Sequence, residues 1–317
     1  MDRYLRPHHL WELTEVQIPA KKRRFAESML FLIALIWGGT FVAVKITLED
    51  VSPLLFLFLR FLLATIIFAG LFFGRISGIK RDTLKKGVVL GVLLAVGYAF
   101  QTFGLQYTSA SRSGFITGLL VVFTPMFQWV IERRKLKRGN VIGVVLVTVG
   151  LWFLTTPEGS EFNIGDGLTL VCAIFFALYI VYLDLYGKEH DAIHLTFLQL
   201  AVTTVLVLAA LGAEDVTITF SPRLLMGLAY TGILATIVTT FLQTRYQKDT
   251  TPTRTAVIFT LEPIFAAIFA YLILSEMIGL IGYLGGALIF SGLLVSQLAD
   301  VLDKYLSPRS ADRQDKI

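Results

Sequence analysis

Charge is scarce: only 16% of the 317 residues are Asp, Glu, Lys or Arg, against about a quarter in an ordinary soluble domain. Cysteine is almost missing. The single Cys172 lies inside an apolar run, which excludes a disulfide framework and a Cys-based metal site. The four histidines, His8, His9, His190 and His194, fall in a tail or a loop, and there is no H-E-x-x-H, G-x-S-x-G or Walker motif. An enzyme and an ATP-driven pump are therefore disfavoured, and neither cofactor nor metal is expected. A cleaved leader is also not expected. The apolar run after Lys21-Lys22-Arg23-Arg24 is too long for a signal h-region and lacks a small-x-small site.

What the chain does have is apolar sequence: 55% hydrophobic residues and a mean hydropathy of +0.72. The apolar runs lie near the roughly 20 residues that cross a bilayer. They predict helices at 26–46, 53–74, 86–107, 112–132, 140–156, 166–186, 193–212, 222–244, 254–274 and 277–298. A closed barrel would instead show many short alternating segments. The expected fold is an all-α, multi-pass integral membrane protein of ten transmembrane helices.

Loop charges orient it, since Lys and Arg resist translocation. One side receives Lys21 to Arg24, then Arg75, Lys80, Arg81, Lys85 and Lys86, then Arg133, Arg134, Lys135, Lys137 and Arg138, and later Lys188, Arg245, Lys248 and Arg254. The other carries only Lys45, Arg112 and Arg223 beside acidic loops such as Glu158, Glu161 and Asp166, or Glu214 and Asp215. Both termini are expected to be cytoplasmic. The net charge of +5 then reflects topology, and no nucleic acid partner is expected.

The two halves look self-similar. Arg112 leads to Pro125 after 13 residues and Arg254 leads to Pro263 after 9. Gly139-x-x-x-Gly143 and Gly282-x-x-x-Gly286 repeat at an offset of 143, that is, 282 minus 139. Five helices per half is an odd number, so the halves enter the membrane from opposite sides, related by a pseudo-two-fold axis. The expected organisation is a tail at 1–24, a first five-helix repeat at 25–156, a second at 157–298, and a tail at 299–317. The glycine segments suit either a homodimer seam or internal helix packing.

Trp37-Gly38-Gly39-Thr40-Phe41-Val42-Ala43-Val44-Lys45, Leu59-Arg60-Phe61, Ala110-Ser111-Arg112 and Leu261-Glu262-Pro263 together resemble EamA-type members of the drug/metabolite transporter superfamily. The resemblance spans residues 28 to 297. Ser275-Glu276 departs from that family's Leu-Gly-Glu, and the first-half counterpart, Leu136-Lys137-Arg138, has lost it. The resemblance implies inverted repeats and secondary transport, commonly export, of metabolites such as amino acids or of drugs across a bacterial inner membrane. Solute and lipid are then the expected partners.

Site candidates follow from polarity inside apolar runs. Pro125 and Pro263 each remove a backbone donor, and paired interruptions of two halves point to a transporter's central site; ordinary kinking is the competing reading. Glu262, beside Pro263, suits a substrate amine, a coupling proton, or a structural bond. Arg60 suits a solute contact, or snorkelling near the outer third of its helix. Trp37, Thr40, Tyr98, Gln101, Thr117 and Tyr179 supply further cavity candidates. Thr236, Thr239, Thr240 and Gln243, at i, i+3, i+4 and i+7, predict one polar helix face. Arg112 and Arg254, cationic at helix N-termini, invite an anionic partner as gate or ion-pair residues. A channel or a lipid-moving protein is the competing class of function.

Overall fold

The computed structural model describes residues 19–133, 138–155, 161–250, 255, 258–277 and 279–297. Arg254, residues 134–137 and most of both tails lie outside the described residues. What is described is helical throughout, apart from one isolated bridge between Val51 and Ile218. The helices are α1 (Ala20–Thr47), α2 (Pro53–Leu71), α3 (Arg81–Tyr107), α4 (Ala110–Thr117), α5 (Leu120–Glu132), α6 (Arg138–Thr155), α7 (Ile164–Gly187) and α8 (Ala192–Ala210). Then come α9 (Pro222–Ala229), a π-helix (Tyr230–Val238), α10 (Thr239–Tyr246), α11 (Glu262–Leu274) and α12 (Leu280–Gln297).

Among the described residues, seven stretches are long and apolar enough to cross a membrane: Ala20–Thr47, Pro53–Leu71, Arg81–Tyr107, Ala110–Ile131, Ile164–Gly187, Ala192–Ala213 and Pro222–Asp249. Shorter apolar helices at Val141–Gly150, Glu262–Leu274 and Leu280–Gly292 lie within the remaining predicted runs. Two starts differ from expectation. The first helix begins at Ala20 and the third at Arg81, because long basic side chains are compatible with a helix end that leaves the apolar layer.

The predicted fourth helix is split. Helix α4 ends at Thr117 and α5 begins at Leu120, so the backbone turns at 118–119, one and a half turns before Pro125. The second-half counterpart turns at 260–261, immediately before Glu262. The offset is 142, from 260 minus 118, which agrees with the glycine offset. The breaks are therefore equivalent in the two halves although the prolines are not.

The two broken helices meet. A Cβ added at Gly118 would strike the Pro263 ring, and one at Gly114 would strike Ala266, so the glycines let α4 and α11 touch. Gly38 admits Phe265 of α11 in the same way, and Gly39 admits the Tyr230 hydroxyl, which accounts for the paired glycines in Trp37-Gly38-Gly39-Thr40. Gly150 lies against the Gly285 carbonyl, Gly292 against the Gly143 carbonyl, and Gly286 against the Phe115 ring. The glycine segments of α6 and α12 thus pack inside the chain.

One end of the bundle is closed by polar ties, one within the first half and the rest between the halves. Lys45 Nζ donates to the carbonyls of Leu105 and Thr108 at the C-terminus of α3, where a cation is favoured. Asp166, fully buried, accepts from Thr108 Oγ1 at 2.6 Å and pairs with Arg112. It also closes a capping box with Asn163 at the start of α7. Glu276 accepts from the backbone N–H groups of Ala110 and Ser111 at 3.0 and 3.1 Å and from Ser111 Oγ at 2.9 Å. Beside this cluster Asp50 accepts from Ser221 Oγ and from Arg223. The Ser221 bond, aided by Arg223, holds the Asp50 carboxyl below the usual carboxylate range.

Candidate functional site

Between α1, α3, α5, α7, α10 and α11 lies a central cavity of about 30 Å³. Eight residues expected from the sequence line it. Trp37 and Thr40 come from α1, Tyr98 and Gln101 from α3, and Tyr179 from α7. Thr240 and Gln243 of α10 and Glu262 of α11 complete the set. Leu120 also faces it, and Leu120 and Glu262 are equivalent under the 142-residue offset. Each is the first residue after a short stretch of three-residue helical hydrogen bonds, so the cavity sits where the two helices tighten locally.

Neighbouring side chains hold the lining in place. Trp37 Nε1 donates to Thr239 Oγ1 at 3.2 Å, and its ring lies 5.1 Å from that of Phe259. Tyr179 donates to Gln199 Oε1 at 2.6 Å. Gln243 Nε2 donates to Gln247 Oε1 at 3.0 Å, and Gln247 in turn donates to the Ile180 carbonyl at 3.0 Å. Glu262 is different. It is 5% exposed, and among the described residues no donor or cation is bonded to its carboxylate.

The remaining candidates lie elsewhere. Thr117 is buried on α4 but is not among the lining residues. Arg60 does not snorkel. It is fully buried, with Nε donating to Thr236 Oγ1 at 2.7 Å, Nη2 to the Ala235 carbonyl at 3.2 Å, and the guanidinium 4.5 Å from the Tyr98 ring. It stands behind Tyr98, outside the cavity wall. Arg112 has the anionic partner its position invites, Asp166, at the closed end of the bundle. Arg254 lies outside the described residues. Pro263 packs on Gly118 next to the cavity, and Pro125 lies within α5, where Thr124 Oγ1 bonds the Leu120 carbonyl.

Residues that sequence reasoning passes over are Asp166 and Glu276 at the tie and Gln199 and Gln247 behind the lining. The Asn163-x-x-Asp166 spacing is a legible capping signal. Nothing in the sequence joins Glu276 to a helix start 166 residues away.

A family model described as the EamA-like transporter family matches residues 24–156 and again 163–297. The chain belongs to that family. An uncharacterized transporter of Archaeoglobus fulgidus is 36% identical over 279 residues, covering 87% of each chain. The uncharacterized transporter YoaV of Bacillus subtilis is 26% identical, covering 83% of this chain and 94% of its own. A solved crystal structure at 16% identity superposes with a TM-score of 0.68 over 89% of this chain and 99% of that one, a likeness of fold. As an EamA transporter the chain is an integral multi-pass membrane protein whose function is transport, not catalysis. Its two matched segments are the two halves whose breaks meet at the cavity. Ser275 stands where the EamA pattern has glycine, and the backbone there is left-handed, with φ at 53°, a conformation glycine adopts without steric cost.

Proposed function

We propose that the chain is a secondary transporter that exports a small organic metabolite, such as an amino acid or a drug-like compound, by alternating access. Its ten helices form two inverted five-helix repeats with both termini in the cytoplasm, and the protein resides in a bacterial inner membrane. The solute site is the central cavity, with Glu262 meeting a solute amine or carrying a coupling proton. Arg112 with Asp166 acts as a gate pair at one end.

The observation that carries this reading is Glu262, a buried carboxyl with no bonded partner among the described residues, facing a largely apolar cavity that holds a few polar side chains, where α5 and α11 begin. Such a group at membrane depth is costly to keep, and ionisable residues retained there mark solute or proton pathways. The cavity's size supports alternating access over an open pore. A water needs about 10–15 Å³, so about 30 Å³ admits two or so. An organic solute enters only when the helices part.

The test is a resistance and export screen in cells overproducing the chain, with amino acids, their analogues and cationic drugs, repeated for Glu262→Gln. The expected result is altered accumulation of at least one solute, lost in the variant at equal membrane insertion. A wild-type protein that moves no solute but changes lipid leaflet distribution, or that gives flux without saturation or counterflow, would replace the proposal with the lipid-moving or channel reading.

A further inference from the structure

We propose that Arg60 is a positioning residue that sets the rotational register of α10, and so aims Thr240 and Gln243 at the central cavity by stabilising the π-helix that precedes it. The proposal rests on the reading of that cavity as the solute site. Two unusual features coincide here. A π-helix is rare, usually a single wide turn at a functional place, and this one runs nine residues, Tyr230–Val238. A fully buried arginine is costly without a carboxylate, and among the described residues Arg60 has none, its Nη1 having no hydrogen-bond partner.

The bonds explain why they coincide. In an α-helix the Thr239 N–H would bond the Ala235 carbonyl four residues back. Here it is shared between the Leu234 carbonyl, five residues back, and the Thr236 carbonyl, three back, and Arg60 Nη2 donates to the Ala235 carbonyl instead. Arg60 Nε donates to Thr236 Oγ1, and that hydroxyl donates to the Thr231 carbonyl, again five residues back, at 2.7 Å. Arg60 therefore takes the acceptor that the α register requires and holds the Thr236 hydroxyl whose proton goes to the carbonyl five residues back. Gly232 makes the approach possible, since a Cβ there would meet Leu63 at 3.0 Å and the Arg60 carbonyl at 3.5 Å.

The consequence falls on the site. The sequence spacing places Thr236 on one face with Thr239, Thr240 and Gln243, but the wide turn separates them. Thr236 faces Arg60, Thr239 takes the Trp37 bond, and Thr240 and Gln243 line the cavity. If the wide turn tightened to α, everything after it would rotate by about 100° for each residue removed from the turn. Thr240 and Gln243 would then leave the cavity wall.

The experiment reads helix face rather than solute movement, so it fails separately from the solute-site reading, which falls with the export screen. In a Cys172→Ala background, single cysteines are placed at each position from 239 to 244 and labelled with a small methanethiosulfonate in the solubilised protein. Labelling should peak at 240 and 243. With Arg60→Met the peak should move to neighbouring positions, with a several-fold loss at 240 and 243. Deleting Ile233, which is 40% exposed and lies in the wide turn, should restore the original peak in that variant. Thr236→Val, which removes the acceptor of Arg60 Nε, should move it the same way if Arg60→Met does not insert. Arg60→Lys, with a single donor point in place of the fork, should give a mixed pattern. An unmoved peak in folded, monodisperse Arg60→Met or Thr236→Val, or a uniform fall at every position without a change of phase, would overturn the proposal.

Discussion

Helix α11 is bracketed by two glutamates that the same helix puts to opposite uses. Glu262 begins it, faces the cavity, and has no bonded donor among the described residues. Glu276 lies two residues past its end and accepts three hydrogen bonds from Ala110 and Ser111 at the start of α4. The first is a buried carboxyl without a bonded donor among the described residues, beside a cavity. The second is a helix cap supplied by the opposite half of the chain. A carboxylate's residue type and its helical position do not separate the two roles; the donors around it do.

The largest effect expected from breaking this contrast is at Glu262. Glu262→Gln should abolish the accumulation change of a transported solute while leaving thermal unfolding in detergent nearly unmoved, since no described bond is lost; a large fall in the unfolding midpoint would put Glu262 among the structural carboxylates. Next comes the tie beside Glu276. Asp166→Ala strands the Arg112 guanidinium, whose side chain is 11% exposed, and breaking a buried pair typically costs about 3–5 kcal/mol. Scanning fluorimetry should show that fall, with much of it recovered when Arg112→Met is added. Glu276→Ala should cost about 1–2 kcal/mol, as loss of a helix cap does, read as a lower midpoint with the solute specificity unchanged.

Smaller effects sharpen the same comparison at its edges. Ser275→Gly relieves a left-handed residue at the end of α11 and should stabilise by about 0.5–1 kcal/mol; no gain would mean that the Ser275 side chain does more than tolerate the turn. The last concerns pH. Asp50 has a folded-state carboxyl held low, chiefly by its Ser221 bond. Its contribution is therefore present above the unfolded value of about 3.9 and is lost as pH falls through the folded one. Midpoints measured from about pH 6 down to about pH 3 should decline less steeply for Asp50→Asn than for the parent.

Much of the cavity lining is legible in the order of residues alone. Trp37, Tyr98, Gln101, Gln243 and Glu262 stand out as polar or amphipathic groups inside apolar runs, and in lipid such groups are placed against protein or a cavity. Arg60 stands out for the same reason, but the sequence carries no sign that its acceptors are a π-helical carbonyl and a threonine 176 residues away. The helix break before Leu120 is not legible. Proline makes Pro125 the visible interruption, whereas the turn falls at 118–119, where Gly118 packs on Pro263.

By itself the sequence determined that this chain is a helical membrane protein, because runs of apolar residues have one stable solution in lipid. It also determined that the chain is built twice over, because the glycine offset of 143 is a property of residue order. Only the tertiary structure decided which charges are paired. Asp166 with Arg112, Glu276 with α4, and Glu262 with no bonded partner among the described residues are outcomes of how distant helices meet. A hydrogen bond forms over about 3 Å, far below any length that residue spacing along a bundle of helices can specify.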